Sequence, residues 1–209
     1  MAEDRSDDPG VVPGEVLSFW FGDLTPADHV IARRQAGLWW SKEDATDARI
    51  RARFEATVEA AAAGGLAHWR TSPEGWLALI VLTDQFPRNI HRGTPRAFSF
   101  DARAREIARA GLDAGLDQAL RPIQRVFAYL PLEHAEDLEL QREAVERFTA
   151  LVAQVPSEDR EAFEGFLDFA RRHFEVIERF GRFPHRNAIL GREFTVEERA
   201  FLQQPGSSF

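Results

Sequence analysis

The sequence predicts an all-α fold, and three observations carry that reading. No segment alternates apolar and polar residues long enough to make a half-buried strand. Helix starts built on proline, serine or threonine recur along the chain, answered by glycine stops. The longest apolar run, Trp76–Leu82, is apolar nearly all round, as a helix at the centre of a bundle is. About nine helices are expected in one domain over residues 13–209, behind a loose leader at residues 1–12.

In order, Pro13 and Gly14 open a short apolar helix, Glu15–Phe21, which Gly22 ends. Thr25-Pro26 offers a cap and a first-turn proline for a helix reaching Trp40. Asp44–Ala63 is a third helix, stopped by Gly64-Gly65. Ser72-Pro73-Glu74 caps the central helix, which should finish at Asp84-Gln85-Phe86 because Pro87 follows. Phe98–Asp101 leads into a helix that Gly111 should stop, with turns from there to Leu120. A short helix spans Pro122–Tyr129. Pro131 can then occupy the first turn of a long helix reaching Val155. Another helix runs from Ser157 to Phe180 and ends at Gly181, and Thr195-Val196-Glu197-Glu198 is a capping box for a last short one.

Composition narrows the function. The 209 residues can bury a core without staples, and no cysteine is present, which excludes disulfides, thiolate nucleophiles and iron–sulfur clusters. The formal net charge of −8 argues against nucleic acid as a partner. The N-terminus has no basic-then-apolar signal and no stretch approaches a membrane span, so a cytoplasmic protein without a membrane partner is expected. There is no P-loop, no dinucleotide fingerprint and no serine in a nucleophile elbow.

Against that acidic background, Arg179–Arg192 holds four arginines and one histidine with no acid among them. An echo lies at Asp84–Arg92: Phe86-Pro87-Arg88-Asn89 parallels Phe183-Pro184-His185-Arg186-Asn187. Arginine forks suit carboxylates and phosphates. The two Phe-Pro turns are therefore expected to converge on one anion site, with Arg88, Asn89, Arg182, Arg186 and Asn187 among its donors.

In the long helix after Pro131, His134, Leu138, Gln141, Val145, Phe148 and Val152 would share one inward face, bordered by Asp137 and, a turn earlier, Glu133. In the next helix His173 falls on the stripe of Phe163, Phe166, Ala170, Ile177 and Phe180. Asp84 closes the most apolar helix and needs a cation, for which Arg88, Arg92, Arg96, Arg125, Arg182 and Arg186 are available. His134 and His185 are the candidate proton-transfer groups, with Glu133 and Asp137 as their acids. Asp84, Gln141, His173 and Arg125 complete the binding set. The bland readings are a structural ion pair for Asp84, a satisfied core histidine for His173 and helix-terminus electrostatics for the acids. No H-x-x-x-H or H-E-x-x-H spacing exists and the arginines disfavour a cation, so neither a metal nor another cofactor is expected.

At these motifs the chain resembles the bacterial family called domain of unknown function 924. The resemblance rests on Phe19–Gly22, Trp39-Trp40, Asp84–Asn89, Ala97–Asp101, Tyr129–Asp137, Gln141 and Arg179–Asn187, and covers about residues 15–202. It implies helix pairs stacked much as in tetratricopeptide-repeat proteins, and no established activity. The chain departs from the family pattern at Ala128, Leu132 and Ala135, where Phe, Phe and Ser are expected.

These residues admit two functions. One is an enzyme acting on a small anionic molecule, with arginines holding the anion and a histidine moving a proton. The other is a helical module whose groove binds a peptide or protein. A pocket lined by the polar groups favours the first; an open groove of exposed aromatics favours the second.

Overall fold

The computed structural model describes residues 10–207; most of the expected leader, residues 1–9, lies outside them. Among the described residues every regular element is helical. The α-helices are α1 (Pro13–Phe21), α2 (Asp28–Trp40), α3 (Asp44–Ala63), α4 (Pro73–Ile80), α5 (Phe86–Ile90), α6 (Asp101–Asp113), α7 (Pro122–Glu133), α8 (Leu138–Gln154), α9 (Arg160–Phe180) and α10 (Val196–Phe201). No helix among them is long and apolar enough to cross a membrane.

The α4 helix is the centre of the fold. The Ser72 side chain accepts from the Gly75 amide and Pro73 starts the first turn, as the sequence predicts. From Gly75 to Gln85 every residue is buried. Contrary to expectation, Pro87 does not end the rod. A π segment, Val81–Gln85, widens the last turn so that the Phe86 amide bonds back to the Val81 carbonyl, and α5 continues beyond it. Pro87 has no amide hydrogen to place in the ladder, and the widened turn absorbs that loss.

Around this rod one apolar cluster reaches from Val16 on α1 to Ala170 on α9. Its aromatic node is Phe127 on α7, whose ring lies 4.6 Å from Trp39, 5.2 Å from Phe21 and 5.6 Å from Trp20, each edge-on. Such pairs add about 1 kcal/mol each beyond burial. The predicted stripe of α9 is observed: Phe163, Ala170, His173 and Ile177 are buried, and Gly181 in the left-handed region ends the helix.

Three further boundaries differ from expectation. The second helix starts at Asp28, after Pro26, because the Asp28 carboxylate is committed to Arg121 and to the Ile123 amide. Gly111 lies inside α6; a Cβ there would meet the Trp76 ring at 2.1 Å, so this glycine marks a close approach rather than a stop. The third difference shapes the site. Pro131 sits near the end of α7, not at the start of α8. All residues from Ile123 to Glu133 are buried, and that packing overrides the local bias against helix before proline. The chain then breaks at His134–Asp137, and the Asp137 side chain caps α8 by accepting from the Glu139 and Leu140 amides. His134 is therefore the C-cap of α7 and is not on the face of α8. Of the predicted stripe, Gln141 and Phe148 are buried on α8, while Val145 and Val152 are half-buried.

Candidate functional site

The break between α7 and α8 is what makes a site. Gln141, fully buried one turn into α8, donates its amide to the carbonyls of Glu133 and Ala135 and so pins the break from below. Glu136 reaches outward, accepting from the Phe183 amide at 2.8 Å and from Arg192 at 2.6 and 2.9 Å. That anchors the Phe183–Arg192 segment against the break. The result is a cleft of about 450 Å³. Its ionisable lining comes from Asp101 and Arg105 on α6, from His134, Glu136 and Asp137 in the break, and from Arg186. Phe98, Leu140 and Leu190 supply apolar wall.

The imidazole of His134 is held from behind. Its Nδ1 lies 2.9 Å from both carboxylate oxygens of Asp84, which is fully buried in the π segment. Gln85 donates to the same carboxylate at 2.6 Å, and Arg88 approaches it at 3.4 Å. Burial opposes charge on Asp84, but the Arg88 guanidinium and the His134 ring outweigh it and hold the carboxyl well below the usual carboxylate range. For His134 burial wins over the attraction of Asp84, Arg88 adds to it, and the pKa is lowered. The pair is therefore an ionised carboxylate and a neutral ring. Ionised Asp84 can only accept, so Nδ1 carries the proton and Nε2 is the basic nitrogen.

Behind this pair lies a second. Glu133, buried, is 3.2 Å from Nδ1 of His173, which also bonds to the Phe169 carbonyl at 2.9 Å. Burial, reinforced by the charge of Asp84, pushes the Glu133 carboxyl up to about 8. His173 is driven well below the normal imidazole range by its own burial. Its ring centre is 6.2 Å from that of His134.

The arginines divide sharply. All four in the basic stretch meet acids from elsewhere in the chain. Arg179 pairs with Glu197, Arg182 with Glu198, Arg192 with Glu136 and Arg186 with Asp101. Only the last is loose. Arg186 Nη1 sits 3.4 Å from Asp101, and its buried Nε has no hydrogen-bond partner. Phe98 and Phe183 cover the guanidinium at 4.7 and 4.4 Å. Burial, then repulsion from Arg88, lowers its pKa to about 10, so it stays charged at neutral pH. Arg88 grips Asp101 with two bonds, 2.9 and 3.1 Å, and the Asp84 carbonyl at 2.6 Å. The two Phe-Pro-linked arginines do converge, but on Asp101, an acid of α6.

The other expected site residues are placed apart from the cleft. Asn89 donates to Asp47, which also holds Arg92. Arg125 is spread over the Asp117 carbonyl, Gln118 and Gln154 at the far end of α7. Arg182 and Asn187 both bond to Glu198 and so tie α10 to the turn. His185 packs on Phe183 outside the cleft lining, with burial, then Arg186, lowering its pKa to about 3. Asp101 and Arg105 belong to the site without having been singled out as ligands: in sequence one is an acid in a helix's first turn and the other a surface charge.

A family described as bacterial protein of unknown function (DUF924) matches residues 16–206. A solved structure of a protein of unknown function from Agrobacterium tumefaciens is 37% identical, with a TM-score of 0.77 over 91% of this chain and 96% of that one. No curated protein matches the chain. The span of the family match and this likeness in sequence and fold agree with the motifs of the sequence: the chain belongs to the DUF924 family of bacterial proteins of unknown function.

Proposed function

We propose that the protein is an enzyme acting on a small anionic molecule bound in the cleft between α6 and the α7–α8 break. The observation that carries this reading is the buried Asp84–His134 pair at a cleft that Arg186 also lines. Asp84 fixes the tautomer and orientation of the ring, and Nε2 of His134 is the general base. Once the ring takes a proton, the carboxylate at 2.9 Å stabilises the imidazolium. Arg186, its donors incompletely used, holds the anion beside that base. Asp137 and Glu136 act by building the rim, and Arg88 by holding Asp84 and Asp101.

The test is ligand-dependent melting. Sulfate, phosphate or a small dicarboxylate at millimolar concentration should raise the melting temperature of the parent above that in chloride of equal ionic strength. The effect should shrink in Arg186→Ala and survive in Arg171→Ala, an exposed position on α9. Equal stabilisation of all three proteins would remove the anion site.

A second reading, the helical binding module, is supported by a different surface. Trp40 on α2 and Phe169 on α9 are each half exposed, and Trp40 lies 6.3 Å from Phe166. These rings are apolar surface outside the cleft lining. Melting that ignores every anion would leave this surface as the better lead.

A further inference from the structure

The cleft holds a second cation, one with no part in the proposed proton transfer. Arg105 lies one helical turn beyond Asp101 on α6, about 6 Å along the same face. It is half-buried, it lines the cleft, and its side chain makes no hydrogen bond or ion pair among the described residues. The acids of the cleft have partners of their own. Asp101 is committed to Arg88 and Arg186, Glu136 to Arg192 and the Phe183 amide, and Asp137 to the cap of α8. Two guanidinium groups therefore line one space, and among the described residues the only ion pair that either makes is the 3.4 Å approach of Arg186 to Asp101.

The shape of the inner cation selects among anions. Two aromatic rings, Phe98 and Phe183, stand 4.7 and 4.4 Å from the Arg186 guanidinium and narrow the approach to its donors. A planar carboxylate meets such a fork edge-on. A tetrahedral phosphate carries further charged oxygens beyond the pair that meets the fork, and these would lose water against the aromatic and leucine walls. The cleft wall also includes Leu140 and Leu190, which suits a short carbon chain.

Building on the anion reading of the cleft, we infer that the ligand is a small dicarboxylate, with one carboxylate on Arg186 and the other on Arg105, its carbon chain crossing the cleft that His134 lines. Arg105 stands about one helical turn from Asp101, the acid that Arg186 approaches, and a chain of two or three methylenes is of that order of length.

The experiment is titration calorimetry of the intact protein with succinate, butyrate and inorganic phosphate. Variants are Arg105→Ala, Arg186→Ala and, should the last fail to fold, Arg186→Lys. In the parent, succinate should bind roughly fivefold more tightly than butyrate, the increment of one partly exposed charge pair. Arg105→Ala should abolish that ratio and leave butyrate binding unchanged. Either Arg186 variant should weaken both acids. If succinate and butyrate bind the parent equally, if Arg105→Ala keeps the ratio, or if phosphate binds more tightly than either acid, the dicarboxylate assignment falls while the anion site stands. If none of the three binds the parent, the anion reading itself falls and takes this inference with it.

Discussion

Nδ1 of His134 is equidistant, at 2.9 Å, from the two carboxylate oxygens of Asp84, a residue fifty positions earlier in the chain. The contact joins the π segment of the central rod to the C-cap of α7. It binds two structural irregularities into one unit, so a change to either residue should be felt in both stability and tautomer.

Asp84→Ala should destabilise the protein by about 3 kcal/mol, because Arg88 loses a buried counter-charge and His134 its acceptor. The lowered pKa of Asp84 sets the pH dependence: its contribution is complete above the usual carboxylate range and is lost as pH falls through the native value. Urea unfolding at pH 7 measures the loss. In Asp84→Asn, nitrogen NMR of His134 should show the Nδ1–H preference gone; an unchanged tautomer would mean that Asp84 does not orient the ring.

Glu133 gives the opposite sign. Its native carboxyl holds a proton up to about pH 8, against an ordinary glutamate value of 4.5. Between those values the native state binds more protons than the unfolded one, so this group makes stability fall as pH rises. Glu133→Gln removes the effect. The variant should gain on the parent between pH 5 and pH 8, reaching roughly 4 kcal/mol at the upper end. A parent–variant difference that does not change with pH would place the carboxyl in contact with solvent.

His134 should titrate below the normal imidazole range in the ligand-free protein, since burial and Arg88 outweigh Asp84. An anion at Arg186 adds a nearby negative charge and should raise that pKa. Proton NMR titration with and without succinate reads the shift, and Arg186→Ala should erase it.

Two glycines in helices should respond in opposite directions to the same substitution. Gly111→Ala drives a methyl into the Trp76 ring and should cost about 2 kcal/mol or more. Gly165→Ala, within α9 and with nothing near its Cβ position, should add roughly 0.5–1 kcal/mol. Thermal melts of the two variants decide it, and similar melting temperatures would contradict the packing around Trp76.

The helices were legible because their starts and their apolar stripes are local. Ser72-Pro73 and Thr195–Glu198 announce caps that form as read. The misplaced boundaries share one cause. Pro87, Pro131 and Gly111 look like punctuation in a short window, yet each sits where tertiary packing dictates the backbone. At the site, Asp84 and His134 stood out as polar groups among apolar residues, and Arg186 as part of a run of arginines without an acid. Arg125, Asn89, Arg182 and Asn187 stood out equally, but their partners Asp117, Asp47 and Glu198 belong to other neighbourhoods that no local pattern reveals. Arg105 escaped for the converse reason: a charge on an amphipathic helix is unremarkable until the far wall of a cleft is known.

The widened turn at Val81–Gln85 has a consequence for chain length. A π turn is an α-helix carrying one surplus residue. Each residue advances a helix by about 100°, so that surplus sets the angle between the residues on its two sides. Before it come Trp76 to Ile80, which fill the core; at and beyond it come Asp84 and Arg88, which build the site. Deleting Thr83 would restore a regular helix and swing one set by about a quarter turn against the other. A rod one residue shorter could seat its tryptophan or its carboxylate, but not both.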